Sequence, residues 1–325
     1  MTPDTETLKD RILRGERRAL ARGITLIESA RSDQQEQALV LIEALLPHTG
    51  HAMRLGISGT PGAGKSTFIE AFGGHVIDAG EKIAVLAVDP SSRRSGGSIL
   101  GDKTRMQRLS AAPDAFIRPS PAGLTLGGVA RKTREASILC EAAGFGVIVL
   151  ETVGVGQSEI DVADMVDCFL LLLAPGAGDE LQGIKRGIME AADLILVNKA
   201  DGDLLATAKS VQADYQAALH LLRQVTTAWT PEVLTCSALE GRGIDQVWQA
   251  VLRHRKALME AGELDGKRQQ QLRGWFWSEI KACLSNALAR DPVSAALMKD
   301  LEQKIANGKL LPPKAAQSLI DQFRR

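Results

Sequence analysis

Gly59-Thr60-Pro61-Gly62-Ala63-Gly64-Lys65-Ser66 has the spacing GxxxxGK[ST]. The chemistry of that spacing is phosphate binding. Gly59, Gly62 and Gly64 let backbone amides turn inward around phosphate oxygens, and the helix that follows adds the positive end of its dipole. In such a loop Lys65 reaches the β- and γ-phosphates, the Ser66 hydroxyl ligates Mg²⁺, and Thr67 is placed to donate to the α-phosphate. The motif carries weight only between a strand and a helix. Arg54–Ser58 before it and the helical pattern from Lys65 to about Ala79 after it supply that context.

Asn198-Lys199-Ala200-Asp201 follows the apolar run Leu194–Val197 and matches the guanine-specificity pattern NKxD. An ionised Asp201 accepts from both the N1–H and the exocyclic amine of guanine. Adenine offers no such pair and would leave the charge unmatched. Lys199 is expected along the base, and Asn198 as a tie to the phosphate loop. Cys236-Ser237-Ala238-Leu239 resembles the loop whose backbone meets the guanine oxygen, which adds Ser237, Ala238 and Leu239 to the site. Together these segments predict a GTP/GDP site with Mg²⁺ rather than an ATP site.

The acids come next. Glu151-Thr152-Val153-Gly154 stands where a metal-sensing aspartate, two residues and a glycine are usual. Glu151 can hold a metal-bound water, and the Gly154 amide can report the γ-phosphate. Val155 occupies the place of the water-orienting glutamine of small regulatory GTPases, so unassisted hydrolysis should be slow. Asp89, ending an apolar strand, is read as the residue that positions the attacking water, and Asp102 as a Mg²⁺ ligand. An N-cap for a helix over Thr104–Ser110 is an equal alternative for Asp102. Arg93, Arg94 and Arg105 are within reach of phosphate in principle, though loop arginines are more often solvated.

The elements that must position these residues follow from the pattern. Apolar runs at Lys82–Val88, Gly146–Leu150, Cys168–Ala174 and Leu194–Val197, with shorter ones at Ala115–Ile117 and Glu232–Thr235, are separated by helical stretches. Unbroken apolar strands between helices indicate a parallel sheet covered on both faces, so the fold class is α/β with a P-loop NTPase sheet, mostly parallel. Residues 1–50 read as an N-terminal helical extension, 51–262 as the nucleotide-binding domain and 263–325 as a helical arm. In the helical tail, Asp245–Met259 carries Val247, Trp248, Val251 and Leu252 on one face. Gln269–Ala289 carries Leu272, Trp275, Phe276, Ile280, Leu284 and Leu288.

Composition bounds the rest. The 325 residues are 45% hydrophobic, and 39 basic side chains balance 39 acidic ones. Such a chain buries a core, and its neutrality argues against a general nucleic-acid binder. The longest apolar run, Cys168–Ala174, falls far short of the ~18 residues of a membrane span. The N-terminus carries acids and lacks an apolar h-region, so no signal peptide is expected, and the four cysteines are scattered. A reduced, cytoplasmic setting fits both observations.

The runs LGISGTPGAGKST, AVDPSSRRSGGSILGDKTRM, ETVGVGQSE and APGAGDELQGIKRGIMEAADLILVNKAD resemble the MeaB/ArgK family over most of the chain. The resemblance implies a homodimeric G protein with a C-terminal dimerisation arm. It implies Mg·GTP hydrolysis coupled to loading adenosylcobalamin-dependent methylmalonyl-CoA mutase with cofactor and protecting it from inactivation. By resemblance, Lys65, Asp89, Asp102 and Glu151 serve the metal and hydrolysis, and Ala174–Lys185 is an additional switch. As residues alone, that last stretch also reads as an ordinary strand-to-helix connection with Asp179 as N-cap.

Two other functions compete. Phosphate loops serve kinases, and some members of this family have been called kinases of periplasmic amino-acid-binding proteins, but no acceptor pocket with a base is identifiable. A metallochaperone role needs clustered ligands, and of five histidines only His48 and His51 are neighbours.

Overall fold

The computed structural model describes residues 3–88, 106–119, 126–152, 158–176, 186–219 and 227–324. Seven strands follow the apolar runs: β1 (Met53–Gly59), β2 (Ile83–Val88), β3 (Ala115–Arg118), β4 (Val147–Thr152), β5 (Cys168–Leu173), β6 (Leu194–Val197) and β7 (Glu232–Thr235). They form one parallel sheet in the order β3-β2-β4-β1-β5-β6-β7. Strands β4, β5 and β6 are buried at every position. That burial on both faces is why their sequences do not alternate. The fold is the expected α/β P-loop architecture. β1 lies between β4 and β5, where the winding of the chain reverses, and in such sheets ligands bind beyond the carboxyl ends of the strands at that point.

The helices before the sheet's second half are α1 (Pro3–Leu13), α2 (Arg17–Glu28), α3 (Ser32–Leu45), α4 (Lys65–Asp78), α5 (Gln107–Ala111), α6 (Leu126–Ala142) and α7 (Ser158–Ala163). Those after it are α8 (Arg186–Ala191), α9 (Leu205–Leu219), α10 (Ile244–Glu260), α11 (Glu263–Arg290), α12 (Pro292–Ala306) and α13 (Pro312–Phe323). One side of the core joins α4 and α10 to the sheet. Phe68 and Phe72 of α4 stack at 5.4 Å, and Phe72 meets Trp248 of α10 edge-on at 5.8 Å. The N-terminal helices pack on one another, and α2 and α3 pack on α6, burying Ile12, Leu20, Ile24, Ile27, Leu41 and Leu45. Arg118 of β3 donates to Glu28 of α2. The first fifty residues thus share a compact unit with the sheet.

That unit spans Met1–Arg268, and a second spans Gln269–Arg325. The division falls later than the expected break at 262 because Lys267 and Arg268 are bound into the first unit. Arg268 donates to the carbonyls of Gly50 and Ala52 and to Asp167 Oδ2, each at 2.7 Å. Burial opposes the charge of Asp167, but the Arg268 hydrogen bonds and the charges of Arg268 and Arg54 outweigh it and hold the carboxyl below its usual range. Beside it, Asp193 accepts from the Phe169 amide at 2.8 Å and lies 3.5 Å from Lys267 Nζ and 3.4 Å from His254 Nε2. Ligand atoms of Cys168, Asp193 and His254 lie within 4.8 Å of one another. The Lys267 ammonium already supplies there the positive charge a metal ion would bring, and the Cys168 thiol is pushed well above its usual value by burial and the Asp193 charge. This anchor sits at the amino ends of the strands, away from the phosphate loop.

In the second unit Asp291 caps α12, accepting from the Ser294 amide at 2.8 Å, and α12 packs on α13. Along the 28 residues of α11, Leu264 is the residue that is buried. Leu272, Phe276, Trp277 and Leu284 are 58%, 62%, 61% and 54% exposed. Among the described residues no helix is long and apolar enough to cross a membrane.

Candidate nucleotide-binding site

The phosphate loop leaves the carboxyl end of β1 and enters α4 at Lys65. At Gly59 the chain passes so close to β5 that a Cβ would sit 2.3 Å from the Leu172 carbonyl oxygen. Gly64, with φ +86°, caps α4 in a left-handed conformation and has no side chain to occupy the first-turn amides. A Cβ there would lie 2.7 Å from Asn198 Nδ2. Between them Pro61 and Gly62 are exposed, Thr60 is half-buried and Ala63 is buried. The exposed Thr67 closes the loop on the first turn of α4. A cradle of this kind, rimmed by free helix-terminal amides, suits phosphate oxygens.

Lys65 Nζ donates to the carbonyls of Gly59 at 2.7 Å and Thr60 at 3.3 Å. Desolvation pulls its proton affinity below that of an ordinary lysine, against the opposing charges of Glu151 and Glu159. Ser66 Oγ donates to Glu151 Oε1 at 3.3 Å, joining α4 to the carboxyl end of β4. Two hard oxygen donors side by side beneath a phosphate loop are a fitting donor set for Mg²⁺.

Asn198 follows β6 and is 1% exposed. Its Nδ2 donates to the Ala63 carbonyl at 2.8 Å, and its Oδ1 accepts from the Ala238 amide at 3.0 Å. One side chain therefore ties the phosphate loop to the loop after β7. Lys199 takes a left-handed φ of +60°, which among the described non-glycine residues no other adopts. Such strain concentrates where a loop must hold a set shape. Ser237 is fully buried, and its hydroxyl donates to Asp201 Oδ2. That bond leaves Asp201 fixed relative to the Ser237–Leu239 loop, and Leu239 is 81% exposed.

Of the residues expected at the site, Gly59–Thr67, Glu151, Asn198, Lys199, Asp201 and Ser237–Leu239 are brought to the carboxyl edge of one sheet. Asp89, Asp102, Gly154, Val155 and the stretch 177–185 lie outside the described residues, as do Arg93, Arg94 and Arg105. The helix expected over Thr104–Ser110 is described as α5, and the first-turn amides of Arg108 and Leu109 go to the Glu70 carboxylate at 2.7 and 3.2 Å. Glu70 on α4 satisfies them. Three further residues were not singled out from sequence: Ser58, Thr152 and Glu159 form a buried hydrogen-bonded chain beside the loop. Two polar letters in otherwise apolar strands were the available signal.

A parallel sheet with this loop, this NKAD segment and this tie between them defines a P-loop GTPase. The comparisons agree and go further. Residues 20–292 match the model of the family described as methylmalonyl Co-A mutase-associated GTPase MeaB, and the chain belongs to that family. It is 52% identical to GTPase ArgK of Escherichia coli over 278 residues, covering 86% of this chain and 84% of the relative. It is 47% identical to the mouse methylmalonic aciduria type A homolog, mitochondrial, over 323 residues, 96% of this chain and 78% of the relative. A crystal structure of LAO/AO transport system kinase superposes with a TM-score of 0.80 at 40% identity, covering 100% of this chain and 99% of that one.

Proposed function

We propose that the protein hydrolyses GTP, with Mg²⁺, as a switch that assists and protects adenosylcobalamin-dependent methylmalonyl-CoA mutase during cofactor loading. The observation that carries the nucleotide half is Asn198, which joins Ala63 of the phosphate loop to Ala238 of the base loop. The family description supports the mutase half.

In this reading the loop amides and Lys65 hold the β- and γ-phosphates, and Asp201 selects guanine. Ser66, with Glu151 and Asp102, would hold Mg²⁺, which supplies charge neutralisation on the phosphates when bound. Asp89 orients the attacking water. With Val155 in place of a glutamine, turnover is slow until the partner assists. The exposed apolar row on α11, Leu272, Phe276, Trp277 and Leu284, supports residues 263–325 as the dimerisation arm of a homodimer, because apolar patches of this kind mark association surfaces.

The test is GTP hydrolysis by the purified protein alone and with apo- and holo-mutase. Stimulation by the mutase is the expected result. A second reading, phosphotransfer to a protein or metabolite, draws on the kinase name of the superposed structure. It takes over if no mutase binds and label from γ-phosphate-labelled GTP appears on an added acceptor.

A further inference from the structure

β1 and β4 run in register from Met53 opposite Val147 to Ile57 opposite Glu151, and there the backbone ladder between them ends. β1 goes on pairing with β5 through Gly59, and β4 with β2 through Thr152. The two strands therefore part at Ser58 and Thr152, directly behind the phosphate loop and the candidate metal acid. Side chains close that gap. Thr152 Oγ1 donates to Ser58 Oγ at 2.8 Å, and Ser58 Oγ donates to Glu159 Oε1 at 3.1 Å.

Alternation along a strand divides the two faces of the sheet. Gly56 lies against α7, since a Cβ there would sit 2.7 Å from Phe169, 3.0 Å from Val166 and 3.1 Å from Val162. Ser58, two residues on, shares that face and meets Glu159, which stands in the first turn of α7, three residues before Val162. Glu151 serves the other face, where its Oε1 accepts from Ser66 of α4 at 3.3 Å. The end of β4 is thus held from both sides, through Glu151 toward α4 and through Thr152 toward β1 and α7.

Ser58 and Thr152 are fully buried and Glu159 nearly so. A buried polar trio gains little net stability over apolar side chains of the same shape. What a satisfied network does supply is a fixed geometry. The carboxylate sets its direction: it only accepts, so the Ser58 proton is committed to Glu159 and the Ser58 lone pair is left for Thr152.

We propose that Thr152, through Ser58 and Glu159, is a positioning residue of the phosphate site. It continues the β1–β4 pairing one step past the backbone ladder and thereby keeps Glu151 against Ser66. This rests on the reading that Ser66 and Glu151 hold the Mg²⁺ of a bound guanine nucleotide.

The experiment titrates Mg²⁺ against binding of a fluorescent, non-hydrolysable GTP analogue to the full chain. Wild type is compared with Thr152→Val, Thr152→Ser and Ser58→Ala, with a melting curve of each protein free of ligand. Valine keeps the branched shape of threonine and removes only the hydroxyl. Thr152→Val should need about fivefold more Mg²⁺ for half-maximal binding, the worth of one buried hydrogen bond of about 1 kcal/mol. At saturating Mg²⁺ its affinity should return to that of wild type. Thr152→Ser, which keeps the donor, should restore the Mg²⁺ response, and Ser58→Ala should resemble Thr152→Val. A Thr152→Val curve that superposes on wild type overturns the proposal. So does an affinity lowered equally at every Mg²⁺ concentration together with the melting temperature, which marks a packing role only. If Thr152→Val does not fold, Ser58→Ala is judged by the same two outcomes. Wild-type binding that is absent or indifferent to Mg²⁺ refutes the parent reading instead, and this proposal falls with it.

Discussion

Asn198→Ala is the sharpest perturbation of the site, because the side chain need not touch the ligand to matter. It is 1% exposed and holds the Ala63 carbonyl at 2.8 Å and the Ala238 amide at 3.0 Å. Two buried neutral hydrogen bonds at about 1 kcal/mol each give about 2 kcal/mol. If that energy serves to hold the two loops in their binding shape, its loss appears as about thirtyfold weaker GDP binding. Asn198→Asp separates the two bonds. A carboxylate still accepts from Ala238 but faces the Ala63 carbonyl with a charge, so it should do worse than alanine. The clash predicted for a side chain at Gly64 gives an internal check. A Cβ there meets Asn198 Nδ2 at 2.7 Å on a backbone with φ +86°. Gly64→Ala should therefore cost both a contact and about 1–2 kcal/mol of left-handed strain, and Asn198→Ala should relieve the contact alone. Titration with a fluorescent GDP analogue on the two single variants and the double variant reads the coupling. Asn198→Ala binding within twofold of wild type, or strict additivity in the cycle, refutes the claim that this side chain holds the two loops together.

Asp201→Asn should move preference from GTP toward xanthosine triphosphate, whose C2 carbonyl matches an amide donor; competition binding measures it, and unchanged GTP affinity removes Asp201 from the site. Gly59→Ala should abolish nucleotide binding or folding, because the new methyl meets backbone at 2.3 Å, the Leu172 carbonyl, that cannot rotate away; isothermal titration and solubility decide. Arg268→Ala strips the main partner from buried Asp167 and should cost about 3–5 kcal/mol in urea unfolding. Acid should do the same more gradually. The folded-state values of Asp167 and Asp193 are depressed, so their stabilising charge is complete above the ordinary 3.8 and is lost as pH falls below it. Unfolding followed by circular dichroism between about pH 5 and pH 2 tests this, and Asp167→Asn should flatten the slope.

What was legible in the sequence, and what was not, divides along a physical line. The phosphate loop, the NKAD segment and the strands before them are local patterns. Residues a few positions apart make one turn, and the spacing is the structure. Strands β5 and β6 could be read because burial on both faces writes itself as CFLLLL and LILV. The anchor at the opposite edge could not. Arg268 meets Asp167 across 101 positions and the Ala52 carbonyl across 216, and no spacing rule links an arginine early in a helix to an acid before a strand. For the same reason a helical pattern unbroken from Gly243 onward gives no sign that Lys267 and Arg268, beyond a boundary at 262, are bound into the first unit.

Glu159 shows the intermediate case and bears on how the site works. Its letter lies inside a run that could be matched as a whole, yet its role is not in its neighbours. It is in Ser58, 101 positions away, reached because β1 and β4 are adjacent and parallel with Ile57 opposite Glu151. The register that sets Glu151 beside Ser66 necessarily sets Thr152 beside Ser58. The same pairing that would place one acid for the metal therefore places a hydroxyl chain leading to a second buried acid, Glu159, in the first turn of α7. A perturbation of β1–β4 register would move both acids together, whereas Glu159→Gln moves only the charge.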